Sequence, residues 1–210
     1  MPAFSIVVSG LGGQGVLFVS KALALAASFE NPFVCRTESR GLSQRGGSVS
    51  SEVRFSDSPV TPVIGRGSAD ALLSMDALEA VRCVDLLKPD GVLLSHSDLA
   101  PPLHLVRQWN EADAEKSRNE FTEKIIHALQ CTVGAILFDL SPKAGRLNVA
   151  LLGAASNILP LKPDHVRSAI LKLTKLDDQD SATRTFDFTF QQFRNIRSIP
   201  AKVTAASSVA

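Results

Sequence analysis

Cysteine is scarce and scattered in this chain. The three thiols, Cys35, Cys83 and Cys131, stand 48 residues apart and form no C-x-x-C pair. That excludes a self-contained iron–sulfur or zinc site built from cysteine alone. An odd number of scattered thiols fits a reducing cytoplasm. Charge excess is equally lacking. A net charge of +1 over 210 residues gives no electrostatic case for nucleic acid or an anionic membrane. No apolar run approaches the roughly 20 residues of a membrane span, and the opening MPAFSIVVSG lacks the basic region of a signal peptide. A cytoplasmic location is the expectation. Tyrosine is absent beside 11 phenylalanines, a feature with no physical account.

What is present is ordinary for a globular domain: 45% apolar and 20% charged residues, in a chain long enough to bury a core without metal or disulfide. Short apolar runs at 4–9, 33–38, 69–75, 92–96 and 132–139 read as strands. Helical patterns lie between and after them, at 14–29, 76–87, within 101–130, and at 147–159, 162–173 and 186–197. The first helix is apolar on nearly all sides except around Ser20 and Lys21, as a buried helix is. KPDG at 88–91 reads as the stop of the 76–87 helix. Residues 48–55 alternate strictly, with Val49, Ser51, Val53 and Phe55 on one face, which marks an antiparallel strand. The fold class is α/β: a three-layer α/β/α single domain over 1–200 with a mostly parallel, mixed sheet, and a flexible tail at 201–210.

Two segments carry chemistry. GLGGQG, at 10–15, satisfies G-x-G-x-x-G between a strand and a helix. Gly10, Gly12, Gly13, Gln14 and Gly15 admit three readings: a tight turn, a backbone loop for an anion or other ligand, or an NAD(P) site with Glu38 as the ribose acid. The polar Gln14 in the turn, and the absence of an ordinary next helix after Glu38, weigh against the last. The second segment, ESRGLSQRGG, packs Glu38, Arg40, Gly41, Ser43, Gln44, Arg45, Gly46 and Gly47 into one loop. Its arginines offer planar forks for carboxylate or phosphate, its glycines allow close backbone approach, and Ser43 and Gln44 add donors. The plainer alternative is a solvated loop in which Glu38 pairs with Arg40 or Arg45.

GLGGQG, ESRGLSQRGGSV, GSADALLSMDALEAVR and NVALLGAASNILPL occur in that order. In this the chain resembles the γ-type component of the 2-oxoacid:ferredoxin (acceptor) oxidoreductases, and within them it is most similar to the β subunit of indolepyruvate ferredoxin oxidoreductase. The resemblance covers residues 3–96 and 146–173; 97–145 and 174–210 depart from it. It implies a subunit with no catalytic residue of its own. The assembled enzyme would oxidatively decarboxylate a 2-oxoacid, an aryl pyruvate such as indolepyruvate, to the acyl-CoA. Thiamine diphosphate and iron–sulfur clusters would sit in a partner α subunit that passes electrons to ferredoxin or another acceptor, and CoA would be a substrate of the assembly. This chain would bind none of these cofactors alone, and no G-D-G thiamine motif occurs in it. The 38–47 loop would then face the partner near the active-site entrance. An NAD(P)-binding oxidoreductase domain, or a regulatory module retaining the fold, are the alternatives.

Smaller expectations concern single residues. His96 is the one histidine placed at a strand end, with a loop histidine as the plain alternative; His104, His127 and His165 fall in helices and are read as solvent-facing or capping. Asn148 is read as the cap of the small-residue helix, and Cys35 as an inert core residue on a buried strand.

Overall fold

The computed structural model describes residues 3–40, 46–133, 136–138 and 145–195. Six strands form one mixed sheet in the order β2-β3-β1-β4-β5-β6. They are β1 (Phe4–Leu11), β2 (Phe33–Arg40), β3 (Ser48–Ser56), β4 (Ala69–Ser74), β5 (Leu87–His96) and β6 (Ile136–Phe138). β1, β4, β5 and β6 run parallel, whereas β3 is antiparallel to both β1 and β2. The alternating 48–55 segment is therefore the antiparallel strand expected of it, with Val53 and Phe55 fully buried on its core face.

The helices are α1 (Val16–Ala27), α2 (Ala77–Cys83), α3 (Leu103–Val106), α4 (Ala114–Val133), α5 (Leu147–Ala155), α6 (Pro163–Leu173) and α7 (Gln179–Gln192). Alternation of side chains along each strand divides the core in two. Ile6, Val8, Val53, Leu73 and Leu94 pack under α1, α5, α6 and α7. Val7, Leu72 and Leu93 face α2 and α4 on the other side. This is the expected three-layer arrangement.

Several boundaries differ from expectation for physical reasons. KPDG does not end a helix; α2 stops at Cys83, a 3-10 turn spans Val84–Leu86, and KPDG lies within β5. Leu87 pairs with Ala69 but Val92 already pairs with Ala71, so 88–91 bulge out of the ladder. The bulge is anchored because Lys88 pairs with Asp70, whose other carboxylate oxygen accepts the Ser5 N–H at 2.8 Å. The helix α4 continues to Val133 where a strand was expected from 132, leaving β6 only three residues.

The last helix starts at Gln179 rather than 186. Its threonines, poor helix formers, turn their hydroxyls back onto the carbonyls four residues earlier, at 2.9 Å for Thr183, Thr185 and Thr189. Ser20, one of the polar pair that interrupts the apolar surface of α1, is fully buried; its hydroxyl donates to Leu17 O at 3.2 Å and receives an Arg36 N–H at 3.3 Å. Cys35 lies on the edge strand β2, half-buried, with its S–H reaching Val60 O at 3.5 Å. Residues 196–210, including the expected tail, lie outside the described residues.

Candidate functional site

From β1 the chain crosses through α1 to β2 and β3 on one side, and then to β4 on the other. The carboxyl ends of β1 and β4 therefore flank a topological switch point, where open α/β sheets place their ligands. GLGGQG lies there. Gln14 folds back so that its Oε1 accepts the Leu11 N–H at 2.7 Å, while its own N–H donates to Leu11 O at 3.1 Å. The polar side chain in the turn is thus the element that closes the turn. Because β3 runs antiparallel to β1, it begins beside this loop, and the Gly12 N–H donates to Gly47 O at 2.9 Å. That bond joins the two motifs singled out in the sequence.

Gly15 is the N-cap of α1, with φ 96° and no side-chain cap, and the first turn of α1 has no acid. The N-terminus of α5 abuts it: Arg146, not Asn148, holds the N-cap position there, also with no side-chain cap bond. Asn148 lies inside the first turn, its Oδ1 accepting the Val149 N–H at 2.9 Å. A methyl group on Gly15 would sit 2.5 Å from Asn148 Nδ2. Two helix N-termini, each carrying partial positive charge, therefore meet at this loop. Gly15→Ala should cost about 2 kcal/mol through the left-handed backbone and the asparagine contact. Gly15→Ala/Asn148→Gly should recover only the contact component, which thermal denaturation of the two variants would read.

Beside the loop is a cleft of about 360 Å³ lined by Gln14, Met75, Asp76, His96, Asp98 and Arg118, among others. Its wall is held by Asp76, which is 1% exposed. The Asp76 Oδ1 accepts the N–H groups of Leu78 at 2.9 Å and Glu79 at 3.1 Å, capping α2, and its Oδ2 accepts the Ala100 N–H at 2.8 Å. Burial pushes the Asp76 carboxyl up, against the opposing pull of those three amides, and Asp98 adds to the rise. Arg118, from α4, pairs with Asp98 at 3.0 Å, and the Asp98 N–H donates to His96 Nδ1 at 3.3 Å. The expectation that His96 sits at a strand end holds, and the cleft includes it. Asp76, Asp98 and Arg118 were not singled out in the sequence. The D-x-x-E spacing of Asp76 and Glu79 at a helix start marks the cap; no local pattern marks the bond to Ala100.

The polar loop is only partly described. Arg40 ends β2 as backbone; its side chain, together with Gly41, Ser43, Gln44 and Arg45, lies outside the described residues. Gly46 has φ 65° and Gly47 accepts the Gly12 N–H. Glu38 pairs with Arg36, two residues along the same strand; the Arg40 and Arg45 side chains, considered above as its partners, lie outside the described residues. In a dinucleotide fold the acid-bearing strand is the neighbour of the glycine strand. Here β3 lies between them, so Glu38 is displaced from GLGGQG by two strand spacings, roughly 10 Å.

His165 is not simply solvent-facing: it pairs with Glu30 at 2.7 Å and meets the Phe29 ring edge-on at 5.2 Å. His127 is exposed, as expected, and the His104 side chain lies outside the described residues. Among the described residues, no three His, Cys, Asp or Glu side chains come together to hold a metal, and no helix is long and apolar enough to cross a membrane. The cysteines sit on β2, α2 and α4, a donor set that does not fit an iron–sulfur cluster.

Residues 5–184 match the family model for pyruvate ferredoxin/flavodoxin oxidoreductase. The indolepyruvate oxidoreductase subunit IorB of Pyrococcus horikoshii is 32% identical over 178 residues, covering 81% of this chain and 86% of that protein. The 2-oxoglutarate synthase subunit KorC of Methanocaldococcus jannaschii is 35% identical over 94 residues, 44% of this chain and 49% of that one. The γ subunit of a keto/oxoacid ferredoxin oxidoreductase from Geobacter sulfurreducens shares the fold with a TM-score of 0.63 at 23% identity, covering 90% of this chain and 98% of that one. With the glycine turn, the antiparallel β3 and the family match all in one domain, the chain belongs to the pyruvate ferredoxin/flavodoxin oxidoreductase family.

Proposed function

We propose that this chain is the non-catalytic but required subunit of a thiamine diphosphate- and iron–sulfur-dependent oxidoreductase of aryl pyruvates, with indolepyruvate first among them. The observation that carries the reading is the Gly12–Gly47 bond, which fixes the root of the arginine-bearing loop to the glycine turn at the switch point. The similarity to IorB supports indolepyruvate over other 2-oxoacids. The partner α subunit holds thiamine diphosphate and the clusters, since neither the cysteines nor any G-D-G sequence of this chain would hold them. Decarboxylation, electron transfer to ferredoxin and acyl-CoA release belong to that assembly, in the cytoplasm.

In this reading Glu38, Arg40, Gly41, Ser43, Gln44, Arg45, Gly46 and Gly47 face the partner at the active-site entrance. Arg40 and Arg45 meet a carboxylate or phosphate there, from the partner, the oxoacid or CoA. Gly10, Gly12, Gly13, Gln14 and Gly15 present the backbone beside them. Bidentate charge-assisted hydrogen bonds make arginine the side chain suited to that task.

Two measurements test this. Anaerobic purification of the tagged chain from its host, followed by native mass spectrometry, should recover a large partner with thiamine diphosphate and iron–sulfur clusters; a lone chain retaining a nucleotide would defeat the reading. Arg45→Ala should lower turnover or assembly of the holoenzyme while leaving the Tm of the isolated chain within a few degrees of the parent's. A large thermal loss would instead make the arginine structural.

A further inference from the structure

On the solvent side of α4, away from the switch point, His127 and Cys131 stand one turn apart, both exposed. The Cys131 Sγ lies 3.6 Å from His127 Nε2 and 3.8 Å from Nδ1. A tetrahedral zinc, with Zn–S of about 2.3 Å and Zn–N of about 2.0–2.1 Å, holds its sulfur and nitrogen ligands about 3.6 Å apart. The near-equal distances to the two nitrogens place the sulfur against the ring, so the imidazole must rotate to aim one lone pair at a shared ion, a side-chain movement that the i, i+4 spacing permits without moving the helix. We propose that His127 and Cys131 form a bidentate site for a soft divalent transition metal, zinc foremost, with its remaining positions open to water or to a side chain of a docked protein.

Three features favour such an occupant. Thiolate and imidazole together select zinc-like ions over calcium or magnesium, which take oxygen ligands. The i, i+4 spacing lets the rigid helix preorganise both donors on one face. The pair also lies in the last turns of a 20-residue helix whose last turn has no basic side chain, where the partial negative charge of the helix end favours a cation. The other two thiols do not compete on these terms. Burial, with Glu79 nearby, pushes the Cys83 thiol up to about 11, and Cys35 is half-buried with its S–H on the Val60 carbonyl.

The test uses the full-length chain, metal-free and reduced with a phosphine, titrated with Co(II) as a spectroscopic probe. One equivalent should produce a sulfur-to-cobalt charge-transfer band in the near ultraviolet, and Zn(II) should bleach it. Cys131→Ser should abolish the band. A residue that merely orients a ligand is worth about 10–100-fold in metal affinity, so His127→Ala, which removes a ligand, should weaken cobalt binding at least about tenfold. Circular dichroism should show both variants with the helical content of the parent. The site is overturned if the parent shows no charge-transfer band, if Cys131→Ser keeps it, or if His127→Ala binds cobalt as tightly as the parent.

Discussion

Asp76→Ala should destabilise the chain by about 3 kcal/mol and lower its Tm by about 6–12 °C. The figure combines a lost helix N-cap, about 1 kcal/mol, with the loss of the charge-assisted bond from the Ala100 N–H, about 1.5–3 kcal/mol. Asp76→Asn discriminates between the two parts. Asparagine caps α2 as well as aspartate does, with its carbonyl oxygen on the Leu78 and Glu79 amides. Its NH2 group must then face the Ala100 N–H, donor against donor, so the wall of the cleft at 96–101 detaches while α2 stays capped. The Asn variant should therefore lose less stability than Ala. Its backbone amide at Ala100 should nevertheless exchange with deuterium as fast as in the Ala variant. Equal protection at Ala100 in the Asn variant and the parent would show that the wall is held by other contacts.

The same residue sets a pH dependence with a definite sign. Burial raises the Asp76 carboxyl above the ordinary aspartate value of 3.8, in spite of the amides of Ala100, Glu79 and Leu78. A group raised in the folded state binds its proton more tightly there than in the unfolded chain. Its contribution to stability is complete below the ordinary value and is lost as pH rises through the raised one. The Tm difference between the parent and Asp76→Asn should therefore shrink as pH rises from about 4 to about 7.

Asp76 also shows what the sequence could disclose about this molecule. Its spacing from Glu79 announces a helix start, and the observed cap follows. Its hold on Ala100 spans 24 positions and is encoded by no local pattern. The glycine turn behaves likewise. A strand, a turn and a helix could be read directly from GLGGQG and its flanks, whereas the bond from Gly12 to Gly47 depends on where β3 inserts. The alternation at 48–55 declared an antiparallel strand but not that it lies between β1 and β2. That placement is what carries Glu38 away from the turn and removes the main support for an NAD site. KPDG misled for a related reason. Proline, aspartate and glycine have the same local preferences in a helix stop and in a bulge, and only the partner strand distinguishes them.

Gly153→Ala is expected to have the largest effect on stability of any single methyl addition considered, about 3–4 kcal/mol, with a Tm fall of roughly 10 °C. The Ala and Gly positions of α5 allow close packing against a neighbouring helix. All seven residues from Val149 to Ala155 are buried, and α5 packs closely on α7. At Gly153 a methyl group would overlap the Thr189 hydroxyl and stand 2.6 Å from the Phe186 carbonyl oxygen and 3.2 Å from the Phe190 nitrogen. A side-chain hydroxyl can be removed, but the α7 backbone can retreat only by separating the two helices. Thr189→Ala in the same chain should thus restore part of the loss and not all of it. Full restoration would place the strain in the hydroxyl alone. A shift of α5 also moves Asn148 against Gly15 at the other end of the helix, so the Gly153 variant should perturb the glycine turn. Deuterium exchange at Gly12, whose amide is held by Gly47, would register that movement. Faster exchange there than at the β1–β4 ladder would connect the packing of α5 to the geometry of the proposed entrance loop. Unchanged exchange would make the α5–α7 contact purely a matter of stability.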